Sequence, residues 1–306
     1  MTEAAAGRRE RTRLPAVSAV TFRRAAYAAL VALVLVTVSG ATVRLTGSGL
    51  GCDNWPRCGQ TSFLPEQGYH AYVEFSNRVV GFLVGLTTLA AAFTAWRARV
   101  PRRLLIGAVA LPLLVLAQGV LGGITVIFEL NPYIVMGHFL LSLAGVALGV
   151  WVVVGAERLT GRLAEAPTAA WLGWLALALV PLALVLVVTG AFSTASGPHS
   201  GGADIRRIWN LEDAVYVHVR VTAIFGLGFL VVLVTVLRSH GRVATAVAGA
   251  TLAVLLAQMA VGEAQWRNQL PWWLVLVHVT LATLVWGLVV TLAAVLPRRR
   301  SSLPLP

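Results

Sequence analysis

The chain has 306 residues, 58% of them hydrophobic and 12% charged, against about 45–50% and about 25% in a soluble domain, which excludes an ordinary cytosolic fold. Its formal charge of +12 comes from 24 basic residues, all of them arginine, a balance that on its own suggests a nucleic-acid partner. Their positions exclude one: the arginines fall between apolar runs of about 20 residues, the length that crosses a bilayer.

In chain order, residues 1–24 form an arm bearing Arg8, Arg9, Arg11, Arg13, Arg23 and Arg24. The apolar run behind it is long and has no small-residue cleavage site, so the arm reads as a retained tail and not as a signal peptide. Eight spans are predicted, over 25–43, 71–95, 104–127, 134–155, 170–191, 214–237, 243–262 and 272–296. An even number puts both termini on one side, and the connections there carry most of the arginines. The opposite loops carry Arg44, Arg57, Arg206, Arg207 and Arg267 with most of the acids, among them Asp53, Glu66, Glu129, Asp204, Glu212, Asp213 and Glu263. The positive-inside rule therefore places the termini in the cytoplasm. The arginines act as topology determinants beside anionic lipid.

The first outer loop holds the only cysteines, Cys52 and Cys58. An oxidising compartment permits their pairing, but so short a loop adds little global stability, so the pair shapes a lid or exchanges electrons. Span 2 opens with His70, followed by Glu74, Asn77 and Arg78. Glu74 and Asn77 share a helical face, and a carboxylate at this depth is either a candidate acid or base or the partner of Arg78 or Arg220, the two arginines inside spans. Trp55, Trp209, Trp266, Trp272 and Trp273 sit at interfaces where indoles ordinarily lie, and carry no predicted chemistry.

Spans 3 and 4 are echoed by spans 7 and 8. Gln118 and Gly122 return as Gln258 and Gly262, and His138 returns as His278, at one constant offset. More loosely, Gly40 with Thr46-Gly47-Ser48-Gly49 is echoed by Gly190 with Thr194-Ala195-Ser196-Gly197. The expected fold is thus all-α, eight transmembrane helices in two pseudo-symmetric four-helix bundles, residues 1–160 and 161–306, related by an axis along the membrane normal.

Of the six histidines, His240 reads as a solvated residue of an inner turn and His199 lies in an outer loop. His138, His218 and His278 sit on even-numbered spans at matching depth, about 10 Å below the outer surface. A single such histidine is often only a hydrogen-bonding partner; three at one level point to metal. Imidazoles on facing helices are the usual way a four-helix bundle holds a haem, so His218 and His278 read as a bis-histidine pair. Zinc is the weaker alternative, because no cysteine or carboxylate stands at ligand spacing. The position in the first half that corresponds to His218 falls at Asn77, a poor iron ligand, so the two halves are expected to do different work.

Thr46-Gly47-Ser48-Gly49 leading to Cys52 and Trp55-Pro56, Glu74 with Asn77-Arg78, Gln118 with Gly122-Gly123, His138, His218, and Pro271 followed by His278 together resemble the heme A synthase family over nearly the whole chain. The resemblance implies eight spans in two bundles and oxidation of the C8 methyl of heme O to the formyl group of heme A, by two hydroxylations and loss of water. It implies that His218 and His278 ligate a heme b cofactor, that His138 faces the substrate haem, that Glu74 is the functional glutamate and that Cys52 and Cys58 form the loop disulfide. Asn77 stands where many relatives have a second histidine in a Glu-x-x-His-Arg pattern; His70 takes that place only if the outer end of span 2 turns inward. Arg78 on the substrate side and Arg220 on the cofactor side would pair with haem propionates. The implied partners are heme O, an electron acceptor, heme O synthase, terminal oxidase assembly factors and the lipid of the cell membrane.

The competing reading is a b-type dihaem electron carrier without substrate chemistry, but carriers that cross the bilayer need ligands near both faces and none lies on the inner side. A transporter is disfavoured, since only Pro112 and Pro181 interrupt mid-membrane helices.

Overall fold

The computed structural model describes residues 17–296 except 53, 60, 67, 164–168, 200, 202–204 and 240. His240, Asp53, Asp204, the tail arginines Arg8, Arg9, Arg11 and Arg13, and Arg298 to Arg300 lie outside the described residues. Within them the structure is helical, with eight helices: α1 (Ala19–Leu45), α2 (Tyr69–Arg97), α3 (Arg102–Ile127), α4 (Pro132–Leu159), α5 (Ala170–Ser196), α6 (Leu211–Ser239), α7 (Arg242–Arg267) and α8 (Trp272–Val295). All eight are long and apolar enough to cross a membrane, and the described residues contain no strand. The chain is a multi-pass membrane protein.

The helices outrun the apolar stretches. α1 starts at Ala19 and not near residue 25, α5 ends at Ser196 and not near 191, and α7 ends at Arg267 and not near 262. Hydropathy registers only the hydrocarbon layer, whereas the backbone goes on satisfying its own N–H and C=O groups into the interface. Local chemistry fixes the ends. Ser18 caps α1, its Oγ accepting from the Thr21 N–H at 3.1 Å, and the Asn131 side chain accepts from the Tyr133 N–H at 3.1 Å, with Pro132 at the first helical position of α4.

The turns after α3 and α7 are built alike. Glu129 and Leu130 have φ of 49° and 58°, and Gln269 and Leu270, at the repeat offset, have 63° and 58°. Leu130 N–H donates to Thr125 O at 2.8 Å and Leu270 N–H to Gln265 O at 2.7 Å. Two consecutive left-handed residues without glycine are uncommon, so their recurrence is specific to this supersecondary unit.

α1 packs on α2 and α4, and α3 on α2 and α4; α5 packs on α6 and α8, and α7 on the same two. Helices α2 and α4, and likewise α6 and α8, therefore stand diagonally across their sets of four. The sets meet where α8 touches α1 and α4, and α4 touches α5. Near the arginine-rich side this seam is solid: Phe22, Val152, Val289 and Leu292 are buried there, Trp286 Nε1 donates to Leu143 O at 2.8 Å across α8 and α4, and Arg158 Nη2 donates to Ala294 O at 2.6 Å. Small residues let the helices close up. A Cβ on Gly107 of α3 would lie 2.2 Å from the Trp151 ring of α4. Toward the opposite side the packing opens into a cavity.

Candidate functional site

The cavity measures about 1740 Å³ and is lined by side chains from all eight helices, mostly apolar. Its polar lining includes Arg44, Glu74, Asn77, Arg78, Gln118, His138, His199, His218, Gln258 and His278. His70 and Arg220 are not among the residues that line it.

Each residue at the level of the proposed ligands rests on a glycine of the preceding helix. A Cβ built on Gly190 of α5 would come within 3.0 Å of His218 Cε1, one on Gly262 of α7 within 3.1 Å of His278 Cε1, and one on Gly122 of α3 within 3.4 Å of His138 Cε1. The fourth member of the series is Gly40 of α1, whose Cβ would stand 3.9 Å from Asn77 Oδ1. The Cε1 edge of each imidazole therefore abuts bare backbone, where a side chain in place of the glycine would displace the ring. All four glycines stood in the sequence repeats, Gly122 with Gly262 and, more loosely, Gly40 with Gly190, but their contact with the side chains opposite requires the packed helices.

Hydrogen bonds complete the placement. Thr189 Oγ1 and His218 Nδ1 are 3.0 Å apart, which leaves Nε2 of His218 for a ligand. Gln118 Nε2 donates to the His138 carbonyl at 3.0 Å and to Ser142 Oγ, and so fixes α4 against α3. The Nδ1 atoms of His138 and His278, together with Asn77 Oδ1, Gln118 Oε1 and Gln258 Oε1, are buried without a hydrogen-bond partner. Buried polar atoms are rarely left unsatisfied. His218 of α6, held through Nδ1, and His278 of α8 stand on diagonal helices and line one apolar chamber, an arrangement that suits a planar iron macrocycle, and the residues present fit a haem there.

Glu74 is 5% exposed and both its oxygens are engaged. Oε1 accepts from Arg78 Nη2 at 2.6 Å, and Oε2 accepts from the Cys52 N–H at 2.9 Å. Arg78 Nη1 also donates to the carbonyls of Asn54, Pro56 and Arg57 at 3.1, 3.1 and 2.9 Å. Of the two arginines expected near Glu74 it is Arg78 that pairs with it, and its guanidinium is spent on the first outer loop. Cys52 and Cys58 form a disulfide within that loop, and Trp55 folds back so that a Cβ on Gly123 would touch its indole at 2.8 Å. The loop is a lid over the first half of the cavity.

His70 is exposed, and its Nδ1 lies 2.9 Å from Ser48 Oγ; its carbonyl is crossed so closely by the loop that a Cβ on Gly51 would stand 2.3 Å away. Arg220 is exposed too, stacked on Tyr216 with its guanidinium carbon 3.1 Å from the ring centroid. Arg44, by contrast, belongs to the last turn of α1 and lines the cavity, although the sequence placed it in an outer loop.

Fold and site together define a multi-pass helical membrane protein with a large histidine-lined cavity near one face. Residues 61–290 match the family described as cytochrome oxidase assembly protein, and the chain belongs to that family. Similar proteins include one named Heme A synthase from Lysinibacillus sphaericus (strain C3-41), 33% identical over 44% of this chain and 45% of its own length. Another of the same name, from Geobacillus thermodenitrificans, is 35% identical over 39% of this chain and 38% of its own. A third, from Bacillus pumilus (strain SAFR-032), is 32% identical over 44% and 45%. The alignments thus span less than half the length of these curated relatives.

Proposed function

We propose that the protein is a heme A synthase, a membrane oxidoreductase that converts the C8 methyl of heme O to the formyl group of heme A for terminal oxidase assembly. The observation that carries this is the pair His218 and His278, each held against a glycine on diagonal helices of an apolar chamber, in a chain of the cytochrome oxidase assembly family whose relatives bear the name Heme A synthase.

Residues 161–306 form the half that keeps a heme b on His218 and His278, and residues 1–160 the half that receives heme O against His138. When bound, the b-type haem supplies one-electron redox chemistry. The chain does the rest. Gly190 and Gly262 aim the two imidazoles, and Thr189 holds His218 by Nδ1. Gln118 fixes the backbone that carries His138. Asn77, across from His138, leaves the first half one imidazole where the second has two, which suits a substrate that must leave. Glu74 acts as a positioning residue: its carboxylate locks the lid onto α2 and so excludes water from the substrate chamber. The arginine-rich connections put both termini in the cytoplasm and the haem chambers toward the outer face. Heme O synthase and oxidase assembly factors are the matching partners, and an electron acceptor completes the oxidation.

The test is pyridine haemochrome analysis of the purified full chain with and without supplied heme O. One retained b haem, and conversion of heme O to heme A on expression in a host that makes heme O, are expected. Two permanent b haems and no conversion would replace this reading with a dihaem carrier.

A further inference from the structure

Arg44 presents a problem that no group among the described residues solves. It lies in the last turn of α1 and lines the cavity, and its Nε and Nη2 are buried without a hydrogen-bond partner. Among the described residues it joins no ion pair. An unpaired cation inside a membrane protein is among the costliest arrangements and marks a binding site. The acid in the same half, Glu74, is committed to Arg78 and to the Cys52 N–H.

The position of Arg44 says what it faces. Gly40 lies one turn further inward on the same face of α1, and it is Gly40 that backs Asn77; Arg44 therefore stands one turn, about 6 Å, outward of the ligand level. The second half has no counterpart. One turn beyond Gly190 stands Thr194, whose hydroxyl donates to the Gly190 carbonyl at 3.0 Å. An anion-binding group is thus built into the first half alone. Arg78, which on sequence would have served a propionate there, is held by the lid.

We propose that Arg44 is the carboxylate anchor of the first-half chamber, binding a propionate of the porphyrin. The inference rests on the haem-binding reading above. A guanidinium fork accepts a carboxylate through two parallel hydrogen bonds, so it fixes which edge of the macrocycle points outward as well as adding affinity. The propionate edge is held at the rim and the opposite, apolar edge is directed inward.

The experiment uses the full chain with its resident haem retained, in phosphatidylcholine nanodiscs, titrated with hemin and with hemin dimethyl ester and followed by tryptophan quenching. Wild type should bind hemin more tightly than the diester, by about ten- to a hundredfold for one charge-assisted contact. Arg44→Gln should bring hemin down to the level of the diester and leave the diester unchanged, while Arg44→Lys should restore part of the preference. Equal binding of the two probes by wild type, or an undiminished preference in Arg44→Gln, overturns the proposal while haem binding itself stands. Failure of wild type to take up either probe removes the haem-binding reading and the anchor with it. If Arg44→Gln does not yield folded protein, the wild-type comparison and Arg44→Lys decide alone: no preference in wild type refutes the anchor, and a weakened preference in the lysine protein upholds it.

Discussion

Replacing Glu74 by glutamine separates a lid clasp from a proton acceptor. Glutamine keeps one oxygen and turns the other into an NH₂ group, so it can satisfy Arg78 or the Cys52 N–H but not both. Arg78 still has the three carbonyls of Asn54, Pro56 and Arg57, and the loss is therefore smaller than the roughly 3–5 kcal/mol of a stranded buried charge. What remains is one charge-assisted bond and one buried N–H without an acceptor, about 2–3 kcal/mol. Because the lid is a loop with its own disulfide, lying outside the helix packing, this falls on lid opening and not on global unfolding. It corresponds to about 30- to 150-fold more open lid. Arg57 is exposed at the lid's tip, so tryptic cleavage after it, read on reduced gels of protein in nanodiscs, reports the opening. We expect faster cleavage by that factor, an unchanged cofactor haem and accumulation of heme O. Lost heme A with a wild-type cleavage rate would refute the clasp and make Glu74 a general base, a role typically worth about 10²–10⁴-fold.

His218→Ala or His278→Ala should each abolish the low-spin b-type spectrum, and His70→Ala, whose ring bonds Ser48 outside the cavity, should leave it intact; a full bis-histidine spectrum in the His278→Ala protein would remove the ligand assignment. Gly190→Val should displace the His218 ring, which a Cβ already meets at 3.0 Å, and lower haem content at least tenfold, whereas Gly226→Val, where a Cβ meets nothing, should bind haem normally. Mass spectrometry without reductant should find Cys52 linked to Cys58. With both changed to serine, the Glu74 and Arg78 bonds should still hold the lid, so the midpoint of thermal haem release should fall by only a few degrees.

The eight helices were legible because a bilayer demands length and apolarity, and both are written in composition. Counting inward along each span set His138, His218 and His278 at one level in the sequence, and the structure places all three on the lining of one cavity. Direction around the helix was harder. Arg220 shares a depth with His218, but two residues on a helix are about 200° apart, so an arginine beside a cavity-facing histidine must look elsewhere, and the structure stacks it on Tyr216. That signal was in the sequence. Arg44 was hidden for another reason: α1 continues past its apolar run, and a residue taken for loop lies on the face of Gly40. The roles of Gly40, Gly122, Gly190 and Gly262 depend on a neighbouring helix and have no local signature.

Leu130, one of the left-handed residues after α3, is buried between loops of both halves: a Cβ on Gly49 would come within 2.7 Å of its Cδ1, and one on Gly201 within 3.1 Å. With the inner seam closed by Trp286, Arg158 and their carbonyl acceptors, the molecule resembles a purse stitched at the bottom and fastened at the mouth by one button. Leu130 thus ties an outer loop of one half to an outer loop of the other, so that a smaller side chain there would loosen both loops at once.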